Sequence, residues 1–444
     1  MDLSYKKNLL TCIKIVEQVL KQKKSLAQVL QSHRRYQNSN ILHTICNGTF
    51  RQYPYLNSWL NSVTKLKPKD IKIRILILCA LYQCHFMEKK NIKSIIYSAV
   101  DTCIDIKREW AKPIVKAVLE RSLRESLDEK QTPASLKRLP DWLYTRIRKT
   151  YNTEEQEKII KAWSNEPQYI GIRSNSPKRN TLDYRGILDK HKIAQYAKGH
   201  WSKAILVDKK YITVLPLLEQ SEVYIQDPVN QYLVSFLPKL PYQAQVLDAC
   251  GAPGGKSGAL LNLQPNIHIT LLDKNERKIA QTQENLQHYE DKITILHANA
   301  LDTDKWWDSK LYDAILLDVP CSATANIGQF PEVKMNRTPE EIQNLQNQQK
   351  NLCQKTWTLL KHGGYLLYST CSLLREENEE LLDKALSHMP GSEIIPMYNP
   401  QTGLLSHKGV IFLPDSYTRG GYFALLQKKS EKTVDNNKEK EGTK

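Results

Sequence analysis

Gln245-Val246-Leu247-Asp248-Ala249-Cys250-Gly251-Ala252-Pro253-Gly254-Gly255-Lys256-Ser257 decides the fold. An apolar, strand-like run ends in Asp248. A turn of small residues follows, and a helical pattern begins at Ser257. Strand, glycine turn and helix open a nucleotide-binding βαβ unit. Glycine lets the backbone bend sharply and a ligand come close to it. The spacing does not fit a phosphate loop, and Pro253 interrupts the dinucleotide pattern.

The residues downstream extend the reading. Ile267–Asp273 reads as a second strand ending in an acid, 18 residues beyond Gly255, about where a ribose-binding carboxylate belongs. Ile293–Asn299 is a third strand. Tyr312–Cys321 is a fourth, with Asp318-Val319-Pro320-Cys321 at its end. Gly364–Ser372 is a fifth, ending in Thr370-Cys371-Ser372. Ligands in open α/β sheets gather at the carboxyl ends of strands. Cys250, Asp273, Asn299, Asp318, Cys321 and Cys371 all fall there.

Outward from this region, 444 residues suffice for two or three domains. The net charge of +17 is lopsided: residues 1–150 carry 29 Lys and Arg against 12 Asp and Glu, and residues 151–444 carry 35 of each. A basic module beside a neutral catalytic one points to a polyanion, with a merely solvated basic surface as the plainer alternative. The 9 cysteines form no C-x-x-C pair and no zinc spacing, as expected of a reducing compartment. The N-terminus lacks a signal-peptide core, and Ile71–Tyr82 is too short to span a bilayer. A cytoplasmic, monomeric protein without a metal is expected.

Residues 1–130 read as all-helical. β-branched residues make Ile71–Tyr82 ambiguous between strand and helix; its length, and Ile71, Ile75, Leu78 and Tyr82 on one face, favour a buried helix that Asp70 could cap. Residues 131–139 read as a linker and 140–235 as a small α/β, RRM-like subdomain. There Arg173 lies on a strand, either touching substrate or only decorating it. Residues 236–427 form the Rossmann-like catalytic domain, closed by strands at Leu413-Pro414 and Gly421–Leu426. The charged stretch 428–444 reads as a disordered tail.

A cysteine at a strand end is most simply a small core residue. Two such cysteines beside a ligand turn suggest thiolate chemistry instead. Methylation at carbon 5 of cytosine needs that chemistry, because carbon 5 becomes nucleophilic only after a thiolate adds to carbon 6. The glycine turn with Asp273 suits S-adenosylmethionine as donor. The target base must be unpaired or flipped.

The motifs at Asp248–Lys256, Asp318–Thr324 and Ser369–Ser372, the last followed by Glu376-Glu377-Asn378, resemble those of the RNA cytosine-C5 methyltransferases. The likeness covers about residues 5–427. It is strongest to the bacterial small-subunit branch, which joins a NusB-like RNA-binding domain to the methyltransferase and modifies cytosine 967 of 16S rRNA. The resemblance implies that Cys250, Gly251, Ala252, Pro253, Gly254, Gly255 and Lys256 line the S-adenosylmethionine site. It puts Asp273 at the ribose and Asn299, usually an aspartate, beside the adenine. It makes Asp318 the residue between cofactor and cytosine, Cys371 the nucleophile and Cys321 the aid to release. Gln226-Asp227 resembles a family element ahead of the first strand. The basic segment usual after Thr324 is absent at 325–331, with Lys334 left as the expected RNA-binding cation, so local grip on RNA is expected to weaken. Gly251 replaces a usual alanine, with little effect expected, and Gly420 replaces a usual acid. The same chemistry on tRNA or another rRNA cytosine, or a non-catalytic RNA-binding assembly factor, are the alternatives.

Overall fold

The computed structural model describes residues 3–33, 39–64, 69–88, 91–125, 127, 139–177, 181–196, 204–397, 403–406 and 408–429. Most of the expected linker and residues 430–444 of the expected tail lie outside them. The chain forms two compact units: Met1–Asn165 with Ile327–Thr338, and Glu166–Asn326 with Pro339–Lys444.

The first unit is helical: α1 (Leu3–Gln22), α2 (Leu26–Gln31), α3 (Ser39–Val63), α4 (Ile71–Phe86), α5 (Ile92–Asp105), α6 (Lys112–Arg124), α7 (Asp141–Thr150) and α8 (Thr153–Ser164). α1, α3, α5 and α6 pack around α4. Ile73 and every residue from Ile75 to Leu81 in α4 are buried. A helix buried this widely is apolar beyond any one face, as a core helix should be. Asp70 starts it, accepting from the backbone N–H groups of Lys72 and Ile73 at 2.9 and 3.3 Å. A Cβ on Gly48 of α3 would fall 1.8 Å from the Tyr82 ring, so glycine permits this close helix contact. Helices α7 and α8 belong to this unit, so the expected start of the small subdomain at 140 moves to Glu166.

The second unit contains two sheets. β1 (Tyr169–Ser174), α9 (Thr181–Lys190), β2 (Gln195–Tyr196), β3 (Ile205–Asp208) and β4 (Val223–Ile225) build an antiparallel sheet of order β2-β3-β1-β4. α10 (Pro228–Tyr232) then leads to the large sheet. There follow β5 (Gln245–Ala249), α11 (Gly255–Leu263), β6 (His268–Asp273), α12 (Glu276–Asn285), β7 (Ile293–His297) and β8 (Tyr312–Asp318). After the one-turn α13 (Val333–Asn336) come α14 (Pro339–Thr358), β9 (Leu360–Thr370), α15 (Glu379–Leu386), β10 (Ser392–Ile395), β11 (Gly403–Ser406), β12 (Gly409–Phe412) and β13 (Gly421–Lys428). The sheet order is β11-β12-β13-β9-β8-β5-β6-β7, with β10 also on β13. β5 to β9 run parallel and β13 closes antiparallel on β9. Leu413 and Pro414 lie past the end of β12, correcting the expected strand there. Lys428 ends β13, its Nζ donating to the Trp357 and Leu360 carbonyls, so the tail expectation holds no place for it.

α13 and its flanks return to the first unit. Met335 packs on the helical core. Glu332 accepts from the Leu26 N–H at 2.9 Å, at the start of α2. Arg51 donates to the Gly328 carbonyl at 2.8 Å, and Lys334 Nζ donates to the Arg51 carbonyl at 2.7 Å. The segment where cations were expected is therefore a packed piece of the helical core. Lys334 is 2% exposed, so its expected place at an RNA surface is corrected.

Asp70 caps α4 and also pairs with Arg108 at 2.5 Å. Asp70→Ala should lower stability by about 1–2 kcal/mol, read as a shifted urea midpoint with unchanged m-value.

Candidate active site

The carboxyl ends of β5, β6, β7, β8 and β9 surround a cavity of about 320 Å³. Cys250, Ala252, Asp273, Asn299, Asp318, Cys321 and Cys371 line it, joined by Lys274 and Lys278. Seven of the expected residues thus meet at one place. Gly251, Pro253, Gly254, Gly255 and Lys256, expected there too, are not among its lining residues, although Lys256 reaches Asp318.

The turn is built from unusual backbone. Cys250 and Gly254 have φ of 71° and 89°, and Gly254 starts α11 from the left-handed region. A Cβ on Gly251 would lie 2.5–2.7 Å from the Asp248 carboxyl atoms. Glycine at 251 therefore matters, contrary to expectation, because it makes room for that side chain. Gly420 has φ of 79°, and a Cβ there would meet the Phe412 carbonyl at 2.3 Å. No acid fits that backbone.

Arg173 supports the turn from below. It is 5% exposed and donates to Gln226 Oε1 at 2.7 Å, Asn175 Oδ1 at 2.7 Å and the Gly255 carbonyl at 3.2 Å. Its guanidinium lies 4.9 Å from the Tyr224 ring centroid. Burial lowers its pKa to about 10. A buried buttress cannot face a nucleic acid, so that expectation is corrected. Gly258 on α11 makes the space: a Cβ there would sit 2.4 Å from Arg173 Nη2. The signal for it was a lone glycine inside a helical pattern. Asp227 ties the far side, accepting from Thr418 Oγ1 at 2.6 Å and the Arg419 N–H at 2.7 Å.

The acids divide by environment. Asp248 is wholly buried; Ser257 Oγ donates to its Oδ2 at 2.6 Å, while Oδ1 has no hydrogen-bond partner among the described residues. Burial pushes its pKa up to about 7. Asp318 pairs with Lys256 Nζ at 2.5 Å and accepts from Ser369 Oγ at 2.9 Å. Burial alone would lower the Lys256 pKa; the Asp318 carboxylate outweighs it and holds the ammonium charged. Asp273 Oδ1 accepts from the Asn275 N–H at 2.9 Å.

Cys321 Sγ donates to Cys371 Sγ at 3.6 Å. This hydrogen bond lowers the Cys371 pKa and raises that of Cys321, with Lys256 and Arg419 adding to the lowering at Cys371. The shared proton is thereby biased toward Cys321, while burial and Asp318 oppose the lowering at Cys371. Cys250 is pushed up to about 12, by burial first and then by Asp273, Asp318 and Asp248. It stays a thiol. Among the described residues no group of three or more His, Cys, Asp or Glu could hold a metal.

Residues 237–427 match the family model "16S rRNA methyltransferase RsmB/F", and residues 7–124 match the NusB family. The chain is 31% identical over 427 residues to the probable ribosomal RNA small subunit methyltransferase B of Coxiella burnetii, covering 93% of this chain and 97% of that protein. It is 31% identical to ribosomal RNA small subunit methyltransferase B of Proteus mirabilis, covering 94% and 97%. A solved structure, PH0851, shares the fold with a TM-score of 0.77 over 96% of this chain and 99% of that one, at 19% identity. The fold and site are those of a methyltransferase. The chain belongs to the RsmB/F family of 16S rRNA methyltransferases.

Two outcomes are expected here. Gly258→Ala displaces Arg173 from the Gly255 carbonyl and should cost about 1–3 kcal/mol, measured by denaturant unfolding. The Asp248 carboxyl is protonated in the folded state up to about pH 7 but ionises near 3.8 when unfolded. The folded state then binds more protons between these values, so stability falls as pH rises from about 4 to 7. Asp248→Asn should flatten this slope in melting curves recorded across that range.

Proposed function

We propose that the chain methylates carbon 5 of a cytosine in 16S rRNA, cytosine 967, from S-adenosylmethionine. The observation that carries this reading is the sulfur pair, 3.6 Å apart and oppositely shifted, on the wall of the cavity. Chemistry on the exocyclic amine needs no thiolate.

The residues present fit the cofactor. Cys250, Ala252, Asp273, Asn299 and Asp318 line one cavity of about 320 Å³ at the strand ends, a mixed polar and apolar wall suited to a nucleoside with a charged tail. Asp273 would hold the ribose and Asn299 the adenine side, with the amide supplying both donor and acceptor. When bound, S-adenosylmethionine supplies an electrophilic methyl group.

The Cys371 thiolate adds to carbon 6, which makes carbon 5 nucleophilic. Asp318, held by Lys256 and Ser369, orients the cytosine ring by hydrogen bonding at its polar edge. After methylation Cys321 assists loss of the carbon-5 proton, and the Cys371–carbon bond breaks. Cys250, kept as a thiol, takes no part in the covalent steps. The cations of the N-terminal 150 residues supply long-range attraction for the RNA phosphates. We place the protein in the cytoplasm, in keeping with its nine free cysteines. Among the described residues no helix is long and apolar enough to cross a membrane.

The test uses unmodified 16S rRNA and labelled S-adenosylmethionine. Wild type should label carbon 5 of one cytosine. Cys371→Ala should give no product, and Cys321→Ala should leave a covalent protein–RNA adduct visible on a denaturing gel. Labelling of transfer RNA alone would keep the chemistry and move the substrate. Full activity in Cys371→Ala would end the thiolate reading, and an inert wild type on every RNA would favour an assembly factor.

A further inference from the structure

Glu377 is fully buried and lies in the turn between β9 and α15. Its Oε1 accepts from the Ser322 backbone N–H at 2.8 Å and from Gln349 Nε2 at 3.0 Å. Its Oε2 accepts from Ser322 Oγ and from Ser372 Oγ, each at 2.5 Å. Four neutral donors match the four lone-pair positions of an ionised carboxylate. Ser322 follows Cys321 and Ser372 follows Cys371. One buried side chain therefore bridges the residues next to both sulfurs.

The surroundings reinforce that bridge. Gln349 also donates to the Pro320 carbonyl at 2.9 Å, on the other side of Cys321. Thr324 Oγ1 accepts from the Leu373 N–H at 2.9 Å, linking the two loops a second time. Tyr368 Oη donates to the Glu377 carbonyl at 2.7 Å, and Asn378 Nδ2 donates to the Ser372 carbonyl at 3.1 Å. A buried charge is costly unless fully hydrogen-bonded, and here every acceptor position is used.

We propose that Glu377 is a positioning residue for the two-cysteine reaction: by clamping Ser322 and Ser372 it holds the Cys321 sulfur against Cys371 and governs how fast the covalent adduct is resolved. This rests on the cytosine-methylation reading above. In resolution Cys371 is bonded to carbon 6, so its hydrogen bond and charge no longer hold the proton on Cys321; Cys321 gives that proton to solvent, and its thiolate takes the carbon-5 proton. The electron pair of that C–H bond forms the carbon 5–carbon 6 double bond. The carbon 6–sulfur bond then breaks and returns the Cys371 thiolate. The charged groups about the pair are Glu377 on the Cys321 side, and Asp318, Lys256 and Arg419 on the Cys371 side. The Cys321 pKa is raised first by the hydrogen bond to Cys371 and by burial, with the Glu377 charge a smaller contribution.

The experiment follows single-turnover methylation of unmodified 16S rRNA by the full chain, with adduct and free product quantified separately. Glu377→Gln keeps the shape and removes the charge; Ser322→Ala removes one clamping hydroxyl. Both should form methylated adduct within about threefold of the wild-type rate but release product about tenfold more slowly or worse, so that adduct accumulates. Release at the wild-type rate in both variants would overturn the proposal, as would equal slowing of adduct formation and release. If Glu377→Gln fails to fold, Ser322→Ala carries the same expectation of accumulated adduct and the same refutation. Cys321→Ala is run alongside. If it traps no adduct, the methylation reading falls and takes this role with it. If it traps adduct while the Glu377 and Ser322 variants release normally, only the positioning role falls.

Discussion

The parallel register of β8 and β9 is the constraint on which this molecule's chemistry depends. It sets Asp318 opposite Ser369. From that pairing, each chain runs only two or three residues before it reaches a cysteine. Residues 50 positions apart in sequence thereby place their sulfurs 3.6 Å apart. Side chains alternate along a strand, so a slip of one residue would send Asp318 or its partner to the other face of the sheet. The long β9, held by β8 on one edge and β13 on the other, resists such a slip.

Charge balance follows from the same geometry. Four groups inclined to carry negative charge crowd the strand ends: Asp248, Asp273, Asp318 and Cys371. Left alone, their repulsion would push the thiol proton back onto Cys371. Lys256 reduces it by pairing with Asp318, and the fold spares Asp248 by burying it so deeply that it ionises only near neutrality. The glycines of the turn serve this arrangement as much as they serve ligand approach. Gly251 leaves space for the Asp248 carboxyl, and Gly258 leaves space for the guanidinium that supports the turn.

The parallel strands were legible in sequence because both faces are covered, which leaves continuous apolar runs ending in polar residues. The cavity residues followed from that, since strand ends converge by topology. Arg173 was not legible in the same way. An arginine on a strand looks alike whichever face is covered, and Tyr224 on β4 and Gln226 just past its end, which enclose it, lie about 50 residues on. Lys334 misled for a related reason: its partner, the Arg51 carbonyl, is 283 residues earlier. Helix α4 was read correctly as buried from its length and the spacing of Ile71, Ile75, Leu78 and Tyr82, although burial extends round the helix beyond that face. The boundary near 140 was misplaced because α7 and α8 are amphipathic and give no hint of which core they join.

The return of residues 327–338 to the helical unit bears on how the polypeptide is made. Synthesis runs from the N-terminus, so α1 to α8 leave the ribosome long before their last packing partner exists. Until Glu332 and Met335 emerge, the Leu26 N–H at the start of α2 lacks its Glu332 acceptor, and part of the helical core stays uncovered. Completion of the first unit must await the translation of β5 to β8. The order of folding is therefore not the order of the sequence, and the N-terminal helices cannot be a freely exchangeable module: severing the chain at Glu166 would strand a piece of their core inside the other half.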